Sequence, residues 1–137
     1  MAFAPSALAT PSRCTADFSL IPVKKPRTSK NKHLELLSKA FSLQIGSQNA
    51  SFSQQIADIQ RLMQQSGLKY VMHATGTTLE GTWSEVTELI GFAHTLIHQQ
   101  GIARVQTDIR IQTRTDKVQP MEGYVASVEA ILSAPAP

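Results

Sequence analysis

An alternating stretch, residues 67–81, constrains the fold of this chain more than any other feature. Apolar side chains recur at every second position from Leu68 to Ala74, which is the pattern of a strand with one buried face. Gly76 interrupts the alternation, and the β-branched and apolar residues after it predict a second, shorter strand. The stretch therefore predicts a β-hairpin whose first strand is buried on one face.

Helical patterns lie on both sides of the hairpin. Ser51 and Gln54 have the spacing of a capping box that would begin the first helix, and Thr82 and Glu85 repeat this spacing before the second. A glycine follows each pattern, at the position where many helices end in a left-handed conformation. The residues expected to be buried are Ile56, Ile59, Leu62 and Met63 in the first helix and Val86, Leu89, Ile90, Ala93 and Ile97 in the second.

A first strand, a last strand and a terminal helix complete the pattern. Residues 16–22 alternate and predict the first strand, and residues 103–112 alternate between apolar and strongly polar side chains. Residues 121–132 form a weaker helical pattern. The apolar residues expected to anchor this last helix are Val125, Val128 and Ile131.

The order of these elements predicts the fold class. Strand, helix, strand, strand, helix, strand is the order of an α+β, ferredoxin-like βαββαβ sandwich with an antiparallel four-stranded sheet, followed here by a C-terminal helix. Because the helices can cover only one face, the other face should meet a partner or a ligand. That face is expected to carry Ser19, Ile21, Lys69, Val71, His73, Arg104, Gln106, Asp108 and Arg110.

Length and charge limit the classes of protein to which this chain can belong. A chain of 137 residues suffices for one domain with a single core. The net charge is +3, but residues 23–44 hold six basic residues and one acid, and the remainder has a net charge of −2. The basic character is thus confined to one segment, so we expect no nucleic-acid partner. No apolar run approaches the roughly 20 residues of a membrane helix, so we expect no membrane partner.

The chain is expected to divide into three parts. Residues 1–15 are predicted to be a disordered tail, residues 16–132 a single ferredoxin-like domain interrupted by the basic residues 23–44, and residues 133–137 a frayed end. Cys14 falls in the predicted tail, and as the single cysteine it cannot form an internal disulfide. This cysteine usage favours a reducing, cytoplasmic location.

Five short motifs, in chain order, resemble a known family. SLIP, IGSQNAS, GLKY, HATGTTLEG and ARVQTDIRI are similar to the thiamine-binding protein family, also called UPF0045 or MTH1187/YkoF-like. The resemblance covers residues 16–22 and 45–131. It implies a ferredoxin-like fold that assembles into dimers and tetramers through its sheets. It also implies cytosolic, non-catalytic proteins, some of which bind thiamine or its hydroxymethylpyrimidine moiety.

The basic segment, residues 23–44, separates two motifs that are continuous in the family pattern. Joining Pro22 to Ile45 restores SLIPIGSQNAS, and the residues at both ends of the segment permit splice-site codons. Our hypothesis is a retained intron carried into the protein sequence. A genuine loop insertion is the alternative, and sequencing the transcript across codons 22–45 separates the two.

Patterns that would predict catalysis or metal binding are weak. No nucleophile–base pair, cysteine site or carboxylate pair occurs at a persuasive spacing, so an enzyme is not expected, and neither is a cofactor. His94 and His98 are four residues apart on one helix, a spacing able to hold a metal, but no third ligand is evident. We therefore favour partly exposed helix histidines and expect no metal.

The resemblance directs attention to residues that suit a cationic or protonated ring. Such a ligand needs a carboxylate and an aromatic surface. The candidate ligand-binding residues are Tyr70, Thr77, Thr78, Glu80, Trp83 and Asp108. Packing and capping at the helix entry explain Glu80 and Trp83 equally well, and a hairpin turn explains the threonines. His73, Arg104 and Arg110 are expected at an interface between subunits.

Two functions follow as expectations. The first is non-catalytic binding of thiamine or its hydroxymethylpyrimidine moiety by a homo-oligomer, a dimer or tetramer joined through the sheets. The alternative is an oligomeric structural or interaction protein without a small-molecule ligand.

Overall fold

The computed structural model describes residues 4–23 and 52–136, which carry all of the structural statements that follow. Within these ranges, a 3-10 helix at Pro5–Ala7 precedes four strands and three α-helices. The strands are β1 (Cys14–Val23), β2 (Lys69–His73), β3 (Gly76–Gly81) and β4 (Arg104–Gln112), and the helices are α1 (Ser53–Ser66), α2 (Trp83–Gln99) and α3 (Met121–Ser133). Residues 24–51, with all but the first residue of the basic segment, lie outside the described residues.

The four strands form one antiparallel sheet in the order β2-β3-β1-β4. β1 lies between β3 and β4, so that Asp17 is opposite Thr78 on one side and Arg110 on the other. With the two helical crossovers, this order is that of the ferredoxin-like fold and confirms the predicted fold class.

The hydrophobic core lies between one face of the sheet, called here the helix face, and helices α1 and α2. From the sheet it contains Ala16, Phe18 and Leu79, and from α1 Ile59 and Met63. All five residues predicted from the periodicity of α2 are buried, which confirms that prediction in full. The predicted capping box is also present, because Glu85 N–H donates to the Thr82 hydroxyl and the Glu85 carboxylate accepts from Thr82 N–H.

Helix α1 agrees less closely with the prediction. It begins at Ser53 with Phe52 at the N-cap position, and the predicted cap at Ser51 lies outside the described residues. Ile59 and Met63 are buried, but Leu62 is only partly buried and Ile56 is exposed. Gly67 ends the helix with a φ of 73°, as the left-handed C-cap requires.

The predicted hairpin is present, but its turn and its buried strand differ from the expectation. The turn is made by Ala74 and Thr75, and Gly76 is the first residue of β3. A Cβ at Gly76 would lie 2.5 Å from the Phe18 carbonyl oxygen, so close backbone approach explains this glycine. β2 is an edge strand, and its Met72 is 58% exposed, whereas β3 carries the buried residues.

The first strand is longer than predicted. β1 begins at Cys14, which is buried in the core instead of lying in a tail, and burial raises the pKa of its thiol. The segment before it also contacts the domain, because Trp83 N–H donates to the Pro11 carbonyl at 3.1 Å. The remainder of the predicted division into tail, domain and frayed end stays a prediction.

Helix α3 does not pack as its sequence suggested. Val125, Val128 and Ile131, the predicted anchors, are exposed, so they do not hold the helix against the other elements in residues 4–23 and 52–136. Met121, in the first turn, is the buried residue of this helix. None of the helices in the described ranges is both long and apolar enough to span a membrane.

Candidate functional site

The second sheet face, which we call the open face, ends in a row of four adjacent residues. Thr15 pairs with Glu80 and Gln112, and Lys69 pairs with Glu80 on its other side. Their side chains share the open face because strand residues alternate between faces. The first turn of α3 lies over this row, so Glu80 is only 8% exposed although its strand neighbours on this face are not buried.

Glu80 is held by charged and polar partners on both carboxylate oxygens. Arg13 donates to Oε1, and Met121 N–H donates to Oε2 at 2.7 Å. Lys69 Nζ lies 3.9 Å from Oε2 and donates to Glu122 at 2.6 Å. A carboxylate at a helix N-terminus also satisfies a backbone N–H that the helix itself cannot. The buried charge is therefore compensated, and the same contacts attach α3 to the sheet.

A cavity of about 530 Å³ adjoins this carboxylate. Its walls come from the segment before β1, the beginning of β1, the end of β4, the connection from β4 to α3, and α3 itself. The charged residues of the lining are Arg13, Glu80, Arg114 and Lys117. Sequence reasoning identified only Glu80 among them, because the others lie in segments without periodicity.

The connection from β4 to α3 is cross-linked by Arg114. Its Nε and Nη2 donate to the two carboxylate oxygens of Asp116, at 2.7 and 2.5 Å, and its Nη1 donates to Gln119 at 2.6 Å. The hydrogen bonds between Arg114 and Asp116 lower the pKa of Asp116 to about 2 and raise the pKa of Arg114. The bidentate geometry fixes the shape of the loop that forms one wall of the cavity.

Tyr124 places a hydroxyl group in the cavity lining. Its oxygen accepts a hydrogen bond from Gln112 Nε2 at 2.6 Å. Because a phenol can accept and donate at once, its proton can be donated to a bound group.

The centre of the open face carries a polar network within the chain, built around Asp17. Asp17 accepts from His73 at 2.8 Å and lies 3.6 Å from an Arg110 guanidinium nitrogen. The predicted interface residues His73 and Arg110 therefore meet on Asp17, whereas Arg104 lies at the far end of β4, opposite Val23. Their role between subunits stays a prediction.

The six candidate ligand residues do not form one cluster. Thr78, Glu80 and Asp108 lie on the open face, but Tyr70 and Thr77 lie on the helix face, where both pack towards the core. Thr77 accepts a hydrogen bond from Gln60 at 2.9 Å, and Trp83 packs against the core at the start of α2. Of the six, Glu80 alone lines the large cavity, and the ligand roles of all six stay predictions.

The two helix histidines have partners of their own. His98 Nδ1–H donates to the Ile102 carbonyl at 2.8 Å, and His94 contacts the Thr107 hydroxyl. Burial lowers the pKa of His94, and the neighbouring His98 lowers it further. In residues 4–23 and 52–136, no three His, Cys, Asp or Glu side chains are grouped as a metal site would require.

Comparison with known proteins places this architecture in a family. A family model described as thiamine-binding protein matches residues 41–129. This chain belongs to the thiamine-binding protein family. The predicted resemblance to this family is thereby confirmed, and the match begins near the end of the basic segment.

Curated relatives carry the UPF0045 family name. A UPF0045 protein of Eremothecium gossypii is 42% identical over 89 residues, covering 65% of this chain and 85% of the relative. A UPF0045 protein of Synechocystis sp. is 40% identical over 82 residues, covering 60% of this chain and 68% of the relative.

Solved structures share the fold. A hypothetical protein of Methanocaldococcus jannascii has a TM-score of 0.62 at 23% identity, covering 86% of this chain and 97% of its own. A domain of unknown function from Bacillus cereus has a TM-score of 0.59 at 21% identity, covering 83% of this chain and 88% of its own. At these identities the likeness concerns the fold alone.

Proposed function

We propose that this protein binds thiamine, or its hydroxymethylpyrimidine moiety, without catalysis and as a homo-oligomer in the cytoplasm. Membership of a family described as thiamine-binding carries this proposal. The family description names binding and no reaction, which supports a non-catalytic role.

The cavity beside Glu80 is the site that we favour for the ligand. Its volume of about 530 Å³ lies in the range of small-molecule sites. A carboxylate offers about four acceptor positions, and Arg13, Lys69 and Met121 N–H approach the two oxygens of Glu80. One position can still accept a hydrogen bond from a protonated ring nitrogen or an exocyclic amine, as on an aminopyrimidine.

Self-association is supported by apolar surfaces that are exposed among the residues the structure describes. Val125, Val128, Ile131 and Leu132 form an apolar stripe along α3, and Ile21 and Val71 are exposed on the open face. An apolar stripe of this kind is typical of contact with another polypeptide. A second copy of this chain would cover these apolar side chains.

The same stripe also favours the alternative function. An oligomeric structural or interaction protein needs the exposed surface of α3 and no ligand in the cavity. The two functions differ in whether a folded oligomer takes up a small molecule.

Isothermal titration of thiamine, and separately of hydroxymethylpyrimidine, into the full-length protein tests the proposal. Saturable binding supports it, and we expect Glu80→Gln to weaken binding about tenfold because a charge-assisted hydrogen bond is lost. Glu88→Gln is the matched control, since it removes the same charge from α2, away from the cavity.

A second variant tests the location of the site. Thr78→Val changes the centre of the open face without touching the cavity lining. Loss of binding in Thr78→Val, with normal binding in Glu80→Gln, would move the site to the open face. No heat from either ligand, with a folded oligomer confirmed by sedimentation, would favour the structural alternative.

A further inference from the structure

The cavity beside Glu80 has an excess of positive charge that the family description does not explain. Arg13, Arg114 and Lys117 line it, against the single carboxylate of Glu80. Asp116 and Glu122, the carboxylates that pair with Arg114 and Lys69, do not belong to the lining. A bound group therefore meets one carboxylate and three cations, of which Arg13 and Arg114 are paired with carboxylates.

Lys117 is the cation whose charge is least committed. Arg13 is paired with Glu80, and Arg114 is paired with Asp116 through two hydrogen bonds. Lys117 makes no hydrogen bond or ion pair with any residue in 4–23 or 52–136; it is close enough to Asp116 only to help lower the pKa of that carboxyl. Its ammonium group can supply up to three donors to a ligand.

Hydroxyl groups complete a lining suited to an oxyanion. They belong to Ser12, Thr15, Thr113, Thr115 and Tyr124. The Tyr124 oxygen already accepts from Gln112, so its proton remains for donation. Donors of this kind, with Lys and Arg, are the groups that bind phosphate in proteins.

We propose that this cavity binds the phosphate monoester of a small aromatic ligand, with Lys117 as the principal phosphate-binding residue. The inference rests on the proposed function and specifies its ligand as the phosphorylated form. The aminopyrimidine ring of thiamine can bind beside Glu80, but its thiazolium cation gains no attraction from the three cations of this lining. A phosphate monoester carries about −1.5 to −2 charge at pH 7, so it adds an attraction to Lys117 that thiamine lacks.

Isothermal titration with thiamine and thiamine monophosphate tests the inference, because the two probes differ only in the phosphate. We expect the monophosphate to bind the full-length protein at least about tenfold more tightly. The preference should grow from pH 5 to pH 7, because the second pKa of the phosphate is about 6 and its second negative charge appears over this range. It should shrink in high salt, because the cavity is open to solvent.

Lys117→Gln and Arg61→Gln form a matched pair of variants. Lys117→Gln should remove most of the preference for the monophosphate, measured as the ratio of the two dissociation constants. Arg61→Gln removes an equal charge from α1, where Arg61 pairs with Asp58 outside the cavity, and should keep the preference.

The outcomes separate the inference from the function on which it rests. Equal binding of the two probes, or a preference that survives Lys117→Gln, overturns the phosphate inference and leaves thiamine binding in place. Absence of binding by both probes overturns the proposed function, and the inference fails with it.

Discussion

Helices α2 and α3 are both apolar along one side, but this side is buried in α2 and exposed in α3. The five apolar residues of the α2 stripe are at most 5% exposed, whereas the four of α3 are between 56% and 77% exposed. α2 lies against the helix face of the sheet beside α1, and burial holds it along its length. α3 is held at its first turn, by the contacts to Glu80, Lys69 and Gln112.

The difference shows that a helix can have an apolar stripe without burying it. Periodicity reports which side of a helix is apolar, but the connections of the chain decide whether that side meets the core. In α3, the stripe is exposed and the attachment is polar. Four predictions test this contrast.

Removing a buried side chain from α2 should have the largest effect. Ile97 is fully buried, so Ile97→Ala should lower the free energy of unfolding by about 2–5 kcal/mol through lost burial and a residual cavity. Urea denaturation followed by circular dichroism measures the change. A loss below about 1 kcal/mol would mean that α2 is less firmly packed than described.

Removing the charge that attaches α3 should have an intermediate effect. Glu80→Gln keeps the size of the side chain but removes the negative charge that lies between Arg13 and Lys69. Because these partners are half exposed, we expect a loss near the lower end for charged hydrogen bonds, about 1.5 kcal/mol. Amide hydrogen exchange should become faster in α3 and stay slow in α2. Equal acceleration in both helices would contradict a local attachment.

Truncating the α3 stripe should have a small effect on the monomer. Ile131→Ala should change its free energy of unfolding by no more than about 0.5 kcal/mol, since the side chain is exposed. Sedimentation at several protein concentrations should instead show weaker self-association than in wild type. A stability loss as large as that of Ile97→Ala, independent of concentration, would show that the chain itself covers the stripe.

Acid should loosen the start of α3 before it affects α2. The hydrogen bond from Lys69 lowers the pKa of Glu122 below its usual 4.5, so its contribution is present above that pH and is lost as pH falls through the lowered pKa. The pKa of Glu85 is lowered in the same way by Thr82, but burial keeps α2 folded.

Backbone chemical shifts between pH 6 and pH 3 measure this difference. In Glu122→Gln the first turn of α3 should already be loosened at pH 6 and should respond less to acid. Simultaneous loss of helical shifts in α2 and α3 would contradict the prediction.

Much of the fold could be predicted from local sequence pattern. The capping box at Thr82, the buried side of α2 and the polar face of β4 all follow from spacing within one element. The sequence pattern places the break of the hairpin at Gly76, whereas the turn is at Ala74 and Thr75. Gly76 is required instead for close approach to Phe18, a contact between strands that spacing does not reveal.

The candidate site was less predictable because its residues come from separate parts of the chain. Thr77 and Thr78 are neighbours in the sequence and are both predicted ligand residues, yet strand alternation places them on opposite faces of the sheet. Arg13, Lys117 and Tyr124 carry no motif, and they share a cavity with Glu80 only because β1, β4 and α3 begin or end there.

The sequence by itself determined the family, the order of the elements and the apolar side of each helix, because these properties depend on residue identity and spacing along the chain. The tertiary structure alone decided that Cys14 is in the core, that Glu80 is buried beneath α3, and that the α3 stripe is uncovered. These properties depend on strand register and on which distant segment lies on a given surface. Local periodicity carries no information about either.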